Sequence, residues 1–320
     1  MKKLWLIAGG SAAIYVVLSL FMGVFPAIEL AQVPPGPGVK PYTQLEMRGR
    51  EIYVSEGCAY CHTQQVRPLP VDSIFGRPSA PGDFAFQTPA LLESERNGPD
   101  LTNIGVRQPS EIWQYIHLYQ PRAVVPQSIM PSFSWLFQVV DTAPEGATSV
   151  PVPKPFAPAQ GVVIPTDQAK ALIAYLLALK QVPLTGTQAA ESPEPPAPST
   201  VTGPSKSAPV FDAAAGTRLF AANCASCHGS EGAGVPGVFP SLAGDAVVND
   251  NDPTMHIHTV LHGLHGKTIN GTAYTVQMPA FAATLSDVEI AGIISHERSS
   301  WGNHGKLVTP PDVAKVRSQK

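Results

Sequence analysis

Cys58-Ala59-Tyr60-Cys61-His62 and Cys224-Ala225-Ser226-Cys227-His228 decide how this chain is read, because together they use all 4 of its cysteines. The Cys-x-x-Cys-His spacing is the attachment signature of c-type haem. Each thiol forms a thioether to a haem vinyl group, and the adjacent histidine is held against the iron. A zinc site would want a second ligand cluster at short spacing in each half, and a dithiol redox pair has no need of the histidine. The sequence therefore predicts two covalently bound haem c groups, one on Cys58 and Cys61 with His62, the other on Cys224 and Cys227 with His228. With every cysteine so assigned no disulfide is available, and the buried macrocycles must supply core that small domains lack.

Outward from these motifs the 320 residues divide as two domains would. Residues 4–28 hold no charged side chain and are long enough to cross the hydrocarbon core as a helix. Lys2 and Lys3 precede them, which by the positive-inside rule keeps the N-terminus cytoplasmic and puts the rest of the chain outside. A cleaved signal peptide is the competing reading, but the apolar run is long for one and no small-residue cleavage site follows. Residues 1–32 are thus expected to be a transmembrane anchor, followed by a Pro-Gly spacer and a first cytochrome domain over 41–182. Residues 183–210 carry seven prolines without apolar periodicity and predict a semi-extended linker. A second cytochrome domain is expected over 211–310 and a polar tail over 311–320. The fold class is mainly α: one N-terminal transmembrane helix and two all-α cytochrome c-like domains. A net charge of −3 gives no basis for binding nucleic acid.

The domains share a layout. Gly49-x3-Tyr53 and Gly216-x3-Phe220 each precede a haem motif, placing a small residue and an aromatic one turn apart for a helix crossing. Late helices are predicted over 167–180 and 286–297, each opening at a Thr or Ser with acidic residues beside it. Between motif and late helix stand Met130-Pro131 and Met278-Pro279, where the proline holds the loop extended and aims the methionine. A thioether opposite the histidine favours Fe(II) and raises the potential, so Met130 and Met278 are the expected sixth ligands. His117 is a rival in the first domain, and His256, His258, His262 and His265 in the second, whose spacing does not line one helical face. Met255 lies in a turn region and is the weaker methionine. The Gly98-Pro99 and Phe239-Pro240 loops are placed to pass the histidines, where the Pro99 and Pro240 carbonyls would accept from the free imidazole nitrogen.

The first domain carries an insertion between His62 and Pro99, then Gly98-Pro99-Asp100-Leu101, His117-Leu118-Tyr119-x-Pro121-Arg122 and Met130-Pro131. With the anchor, this run closely resembles the membrane-anchored mono-haem cytochrome c subunit, subunit II, of cbb3-type cytochrome c oxidases. The resemblance covers about residues 1–182, and it departs where this chain has Gln120 and Ile129 in place of the asparagines common in the family. The second domain is similar to class I cytochrome c modules of membrane dehydrogenases and oxidases. What the resemblance implies is a bacterial inner-membrane, single-pass subunit with both cytochrome domains in the periplasm. It would be a non-catalytic electron carrier whose partners are the catalytic haem–copper oxidase subunit and other membrane subunits. The donor would be a soluble cytochrome c or a quinol-oxidising complex, reached by the tethered second domain. An electron-transfer subunit of a nitric oxide reductase or of a periplasmic dehydrogenase is the alternative. A dihaem peroxidase would need an open iron, which two Met-Pro segments argue against.

Overall fold

In a computed structural model, the structure describes residues 2–93, 95–182, 213–274 and 276–319, so the expected linker over 183–210 lies outside the described residues. The chain is mainly helical. It opens with α1 (Lys2–Ser19), which runs through a π turn at Leu20–Val24 into α2 (Phe25–Ala31). The stretch Lys3–Glu29 has a mean hydropathy of 2.1 and no buried residue, and by length and composition it can cross a membrane.

The first half is built on α3 (Gln44–Ser55) crossing α6 (Asp167–Ala178). Helix α3 starts in a capping box, with Thr43 N donating to Glu46 Oε2 at 2.6 Å and Glu46 N donating to Thr43 Oγ1 at 3.3 Å. A Cβ on Gly49 would fall 2.0 Å from Ala171 O, so only glycine lets the helices close this far. Tyr53 then meets Tyr175 edge-on at 5.6 Å. Between these helices lie α4 (Ile104–Arg107) and α5 (Glu111–Tyr119), which buries Trp113, Tyr115, Ile116 and Leu118. Strands β1 (Phe137–Val140) and β2 (Val162–Pro165) pair antiparallel, and Thr166 caps α6 while donating to Leu136 O at 2.7 Å.

In the second half, α7 (Ala213–Asn223) leads into the short α8 (Ala225–His228). Helices α9 (Ala246–Asn249) and α10 (Thr254–His262) follow, then the hairpin β3 (Lys267–Ile269) and β4 (Thr272–Tyr274). The crossing is repeated here: α7 lies on α11 (Asp287–Ser299) at Gly216, whose Cβ would fall 2.5 Å from Gly292 O. Residues 311–320 correct the expectation of a polar tail. Helix α12 (Pro310–Ser318) buries Val313 and Val316 in one cluster with Ile290 and Ile294, and Arg317 pairs with Asp287 at 2.7 Å. The domain core thus runs past 310. Two valines three residues apart share one face of this helix and pack on its neighbour in an otherwise polar segment.

Candidate haem centres

Helix α3 delivers the first motif. Gly57, in the left-handed region at φ 74°, stops the helix and turns the chain into the tight Cys58–Tyr60 coil. His62 Nδ1 lies 2.8 Å from Pro99 O; donation to that carbonyl leaves Nε2 as the ligand atom. The approach is so close that a Cβ on Gly98 would meet His62 Cε1 at 2.2 Å. The 98–102 loop is held by Asp100, fully buried, which accepts from Thr63 Oγ1 at 2.6 Å and from the backbone of Gln65 and Thr102 at 2.9 Å each. Arg96 ties this loop to the insertion, donating to Thr63 Oγ1 and Asp72 Oδ1 at 2.6 Å, to Gln65 O at 2.7 Å and to Asp100 Oδ2 at 3.4 Å. Met130, half-buried, packs on the same hydrophobic cluster as Cys58. His117 lies within electrostatic range of His62. Burial pushes its pKa down to about 3, and its Nδ1 is buried with no hydrogen-bond partner.

The second motif occupies the end of α7 and the whole of α8. His228 Nδ1 lies 2.9 Å from Pro240 O, the same bracing arrangement as in the first half. One pocket is lined by Cys224, Cys227, His228 and Met278, with Phe239, Leu264 and Phe281 among its apolar walls. Met278 is fixed by an antiparallel bridge, its N–H donating to Leu264 O at 2.8 Å and its carbonyl accepting from Leu264 N at 3.2 Å. Met255 also reaches this pocket but is 58% exposed. Of the rival histidines, His256 is buried with Nε2 2.8 Å from Glu297 Oε2, and His258 and His262 lie ring to ring at 4.5 Å. Among the described residues no group of three or more His, Cys, Asp or Glu could hold a metal ion.

These residues fit a covalent haem. Burial pushes the Cys58 thiol up to about 12 and Cys227 up to about 11, and Cys224 well above its ordinary value. Thiols so placed are poor as reactive groups but suit thioethers, which carry no proton to lose. His228 and Met278 share a largely apolar crevice, and the orphaned His117 nitrogen points to polar atoms beyond the chain's own.

Sequence reasoning passed over Asp100 and Arg96 as positioning residues. The only signal for Asp100 was its place directly after Pro99. The insertion around them carries a pH signature. Burial alone would raise the Asp72 pKa, but hydrogen bonds from Arg67 and Arg96 outweigh it and hold the carboxyl well below the usual carboxylate range. Because the folded value lies below the unfolded one, Asp72 stabilises the fold above about pH 4, and that contribution is lost as pH falls towards the folded value. Melting temperature followed from pH 7 to pH 3 should fall more steeply for the native chain than for D72N, which starts less stable. Parallel curves would remove Asp72 from this account.

A helix delivering Cys-x-x-Cys-His, with the histidine braced by a proline carbonyl, defines a c-type cytochrome. Comparison with known proteins narrows the class. Residues 6–157 match the family model described as cytochrome C oxidase, mono-heme subunit/FixO, and residues 211–296 match cytochrome C oxidase, cbb3-type, subunit III. The chain is 34% identical over 114 residues to cytochrome c-552 of Thermus thermophilus, covering 33% of this chain and 86% of that protein. It is 38% identical over 105 residues to the cytochrome c subunit of alcohol dehydrogenase (quinone) from Gluconobacter oxydans, covering 32% of this chain and 22% of the relative. It is 32% identical over 112 residues to the cbb3-type cytochrome c oxidase subunit FixP of Rhizobium etli, covering 34% of this chain and 36% of the relative. The chain thus spans only 22% of the length of the dehydrogenase subunit it matches. It belongs to the c-type cytochromes, joining a cbb3-type FixO mono-haem region to a C-terminal cytochrome c domain.

Proposed function

We propose that this chain is a dihaem electron-entry subunit, passing electrons from a periplasmic donor to the catalytic haem–copper subunit of a cbb3-type terminal oxidase. The observation that carries the reading is the repeated construction: Nδ1 of His62 and of His228 lie 2.8 and 2.9 Å from a proline carbonyl, in a chain whose first half matches the FixO family. In this reading Cys58, Cys61, Cys224 and Cys227 hold two haems covalently. His62 with Met130, and His228 with Met278, supply the axial ligands. Bound in this way, haem c supplies one-electron redox chemistry. The chain's own work is to keep each imidazole in one tautomer through Pro99 and Pro240, and to exclude water with its apolar walls.

The helix Lys3–Glu29 anchors the subunit in the bacterial inner membrane, with residues 41–182 and a second domain from about 211 in the periplasm. The similarity of 105 residues of the chain to the cytochrome c subunit of alcohol dehydrogenase (quinone) supports one other reading, an electron carrier serving a periplasmic dehydrogenase. Purification of the intact membrane complex separates the two. A haem–copper subunit in stoichiometric amount is the expected result, and a dehydrogenase subunit in its place would overturn the oxidase assignment.

A further inference from the structure

The two halves meet at the second haem crevice. Trp113 Nε1 donates to Ser226 O at 2.5 Å. Gln108 Nε2 donates to Ser226 Oγ at 2.5 Å and lies 3.7 Å from Cys227 Sγ. These acceptors belong to the second Cys-x-x-Cys-His motif itself. Arg107, Gln108 and Pro109 also line the pocket that holds Cys224, His228 and Met278, so the first half supplies part of its wall. Val238 and Phe239 are buried in one hydrophobic cluster with Trp113 and Tyr115 of the first half, and the Pro70–Phe75 turn of the insertion lies against α7. On its inner side, Trp113 stacks on His117 at 4.5 Å with an interplanar angle of 14°, and His117 in turn neighbours His62.

We propose that the two haem-bearing halves form a fixed pair, with the 107–109 segment and Trp113 completing the second haem crevice and the Trp113–His117 stack linking the two centres. This rests on the dihaem reading above. If the indole N–H or the Gln108 amide, both on buried residues, were withdrawn, the Ser226 carbonyl or hydroxyl would lose that partner at the contact. With haem bound at both sites, His228 and His62 would each hold one iron, and the pair would let a single electron pass from the one, oxidised, to the other, reduced, with no bond or proton moving.

The test uses the full chain, haem-loaded and detergent-solubilised, with a protease site placed within 183–210. After cleavage the two halves should co-elute on gel filtration. The double variant Q108A/W113F keeps an aromatic ring on His117 but removes both donors, and should reduce the co-eluting fraction by roughly tenfold. Wild-type halves that separate on cutting would overturn the fixed pair, as would a double variant that co-elutes like the wild type. The wild-type cut needs no substitution, so it decides even where the double variant fails to fold. Haem content of the uncut chain is read separately: one haem per chain overturns the dihaem reading, not the contact.

Discussion

Replacing Met278 with alanine is expected to lower the reduction potential of the second centre by on the order of 0.1 V or more, against the ~0.8 V that axial ligation spans among haem proteins. The first centre should be unaffected. The direction follows from ligand softness: a thioether is a weak, polarizable donor that favours Fe(II), and water or a vacant position in its place favours Fe(III). The size follows from how firmly the side chain is placed. Met278 is bridged to Leu264 on both sides of its peptide, is followed by Pro279, and shares its crevice with His228. The other methionine in that crevice, Met255, is 58% exposed, and the buried His256 is engaged by Glu297 at 2.8 Å. Redox titration followed by absorbance should show one shifted wave together with a high-spin signature, and M130A should shift the other wave. A pair of unshifted waves in M278A would remove Met278 from the ligand set.

Removing Arg96 should cost about 3–5 kcal/mol, the range for breaking a buried ion pair by deleting one partner. Arg96 is only 14% exposed, and it lies between two carboxylates, Asp72 and Asp100, that are 2% and 0% exposed. In R96A, Asp72 keeps Arg67 at 3.0 Å, while Asp100 keeps only its hydrogen bonds to Thr63, Gln65 and Thr102. The insertion would detach from the Pro99 loop that braces His62. For a chain of this size the loss corresponds to a fall in melting temperature of roughly 10 °C. R96K keeps the charge without the planar fork and should lie between. A change in R96A within experimental error would contradict the role assigned to this network.

The parts of the fold that could be read from residues are those set by local rules. Thr166 and Ser286 mark the starts of α6 and α11 because a side-chain oxygen there accepts from the third residue on. Gly49 and Gly216 mark the crossings because glycine weakens a helix interior, and at both a Cβ would run into the backbone of the facing helix. What escaped the sequence depends on partners distant along the chain. Arg96 reaches Asp72 across 24 residues and Thr63 across 33. Trp113 reaches Ser226 across 113, so the contact between the halves had no local signature. The last helix was hidden by composition, since Val313 and Val316 stand among polar neighbours and become an apolar face only once helical spacing puts them together. The same limit applied to the placement of the second half: a proline-rich linker suggests reach, whereas Gln108 and Trp113 donate to Ser226 of the second motif.

The central claim is that one chain carries two covalent haems on two similarly built centres. Intact-mass measurement of the purified, denatured chain tests it most directly, because thioether-linked haem stays with the polypeptide when the fold is lost. The account predicts the polypeptide mass plus two haems, with C58S/C61S and C224S/C227S each reducing the count to one. A wild-type chain carrying a single haem, or a haem that either pair of substitutions fails to remove, would contradict it.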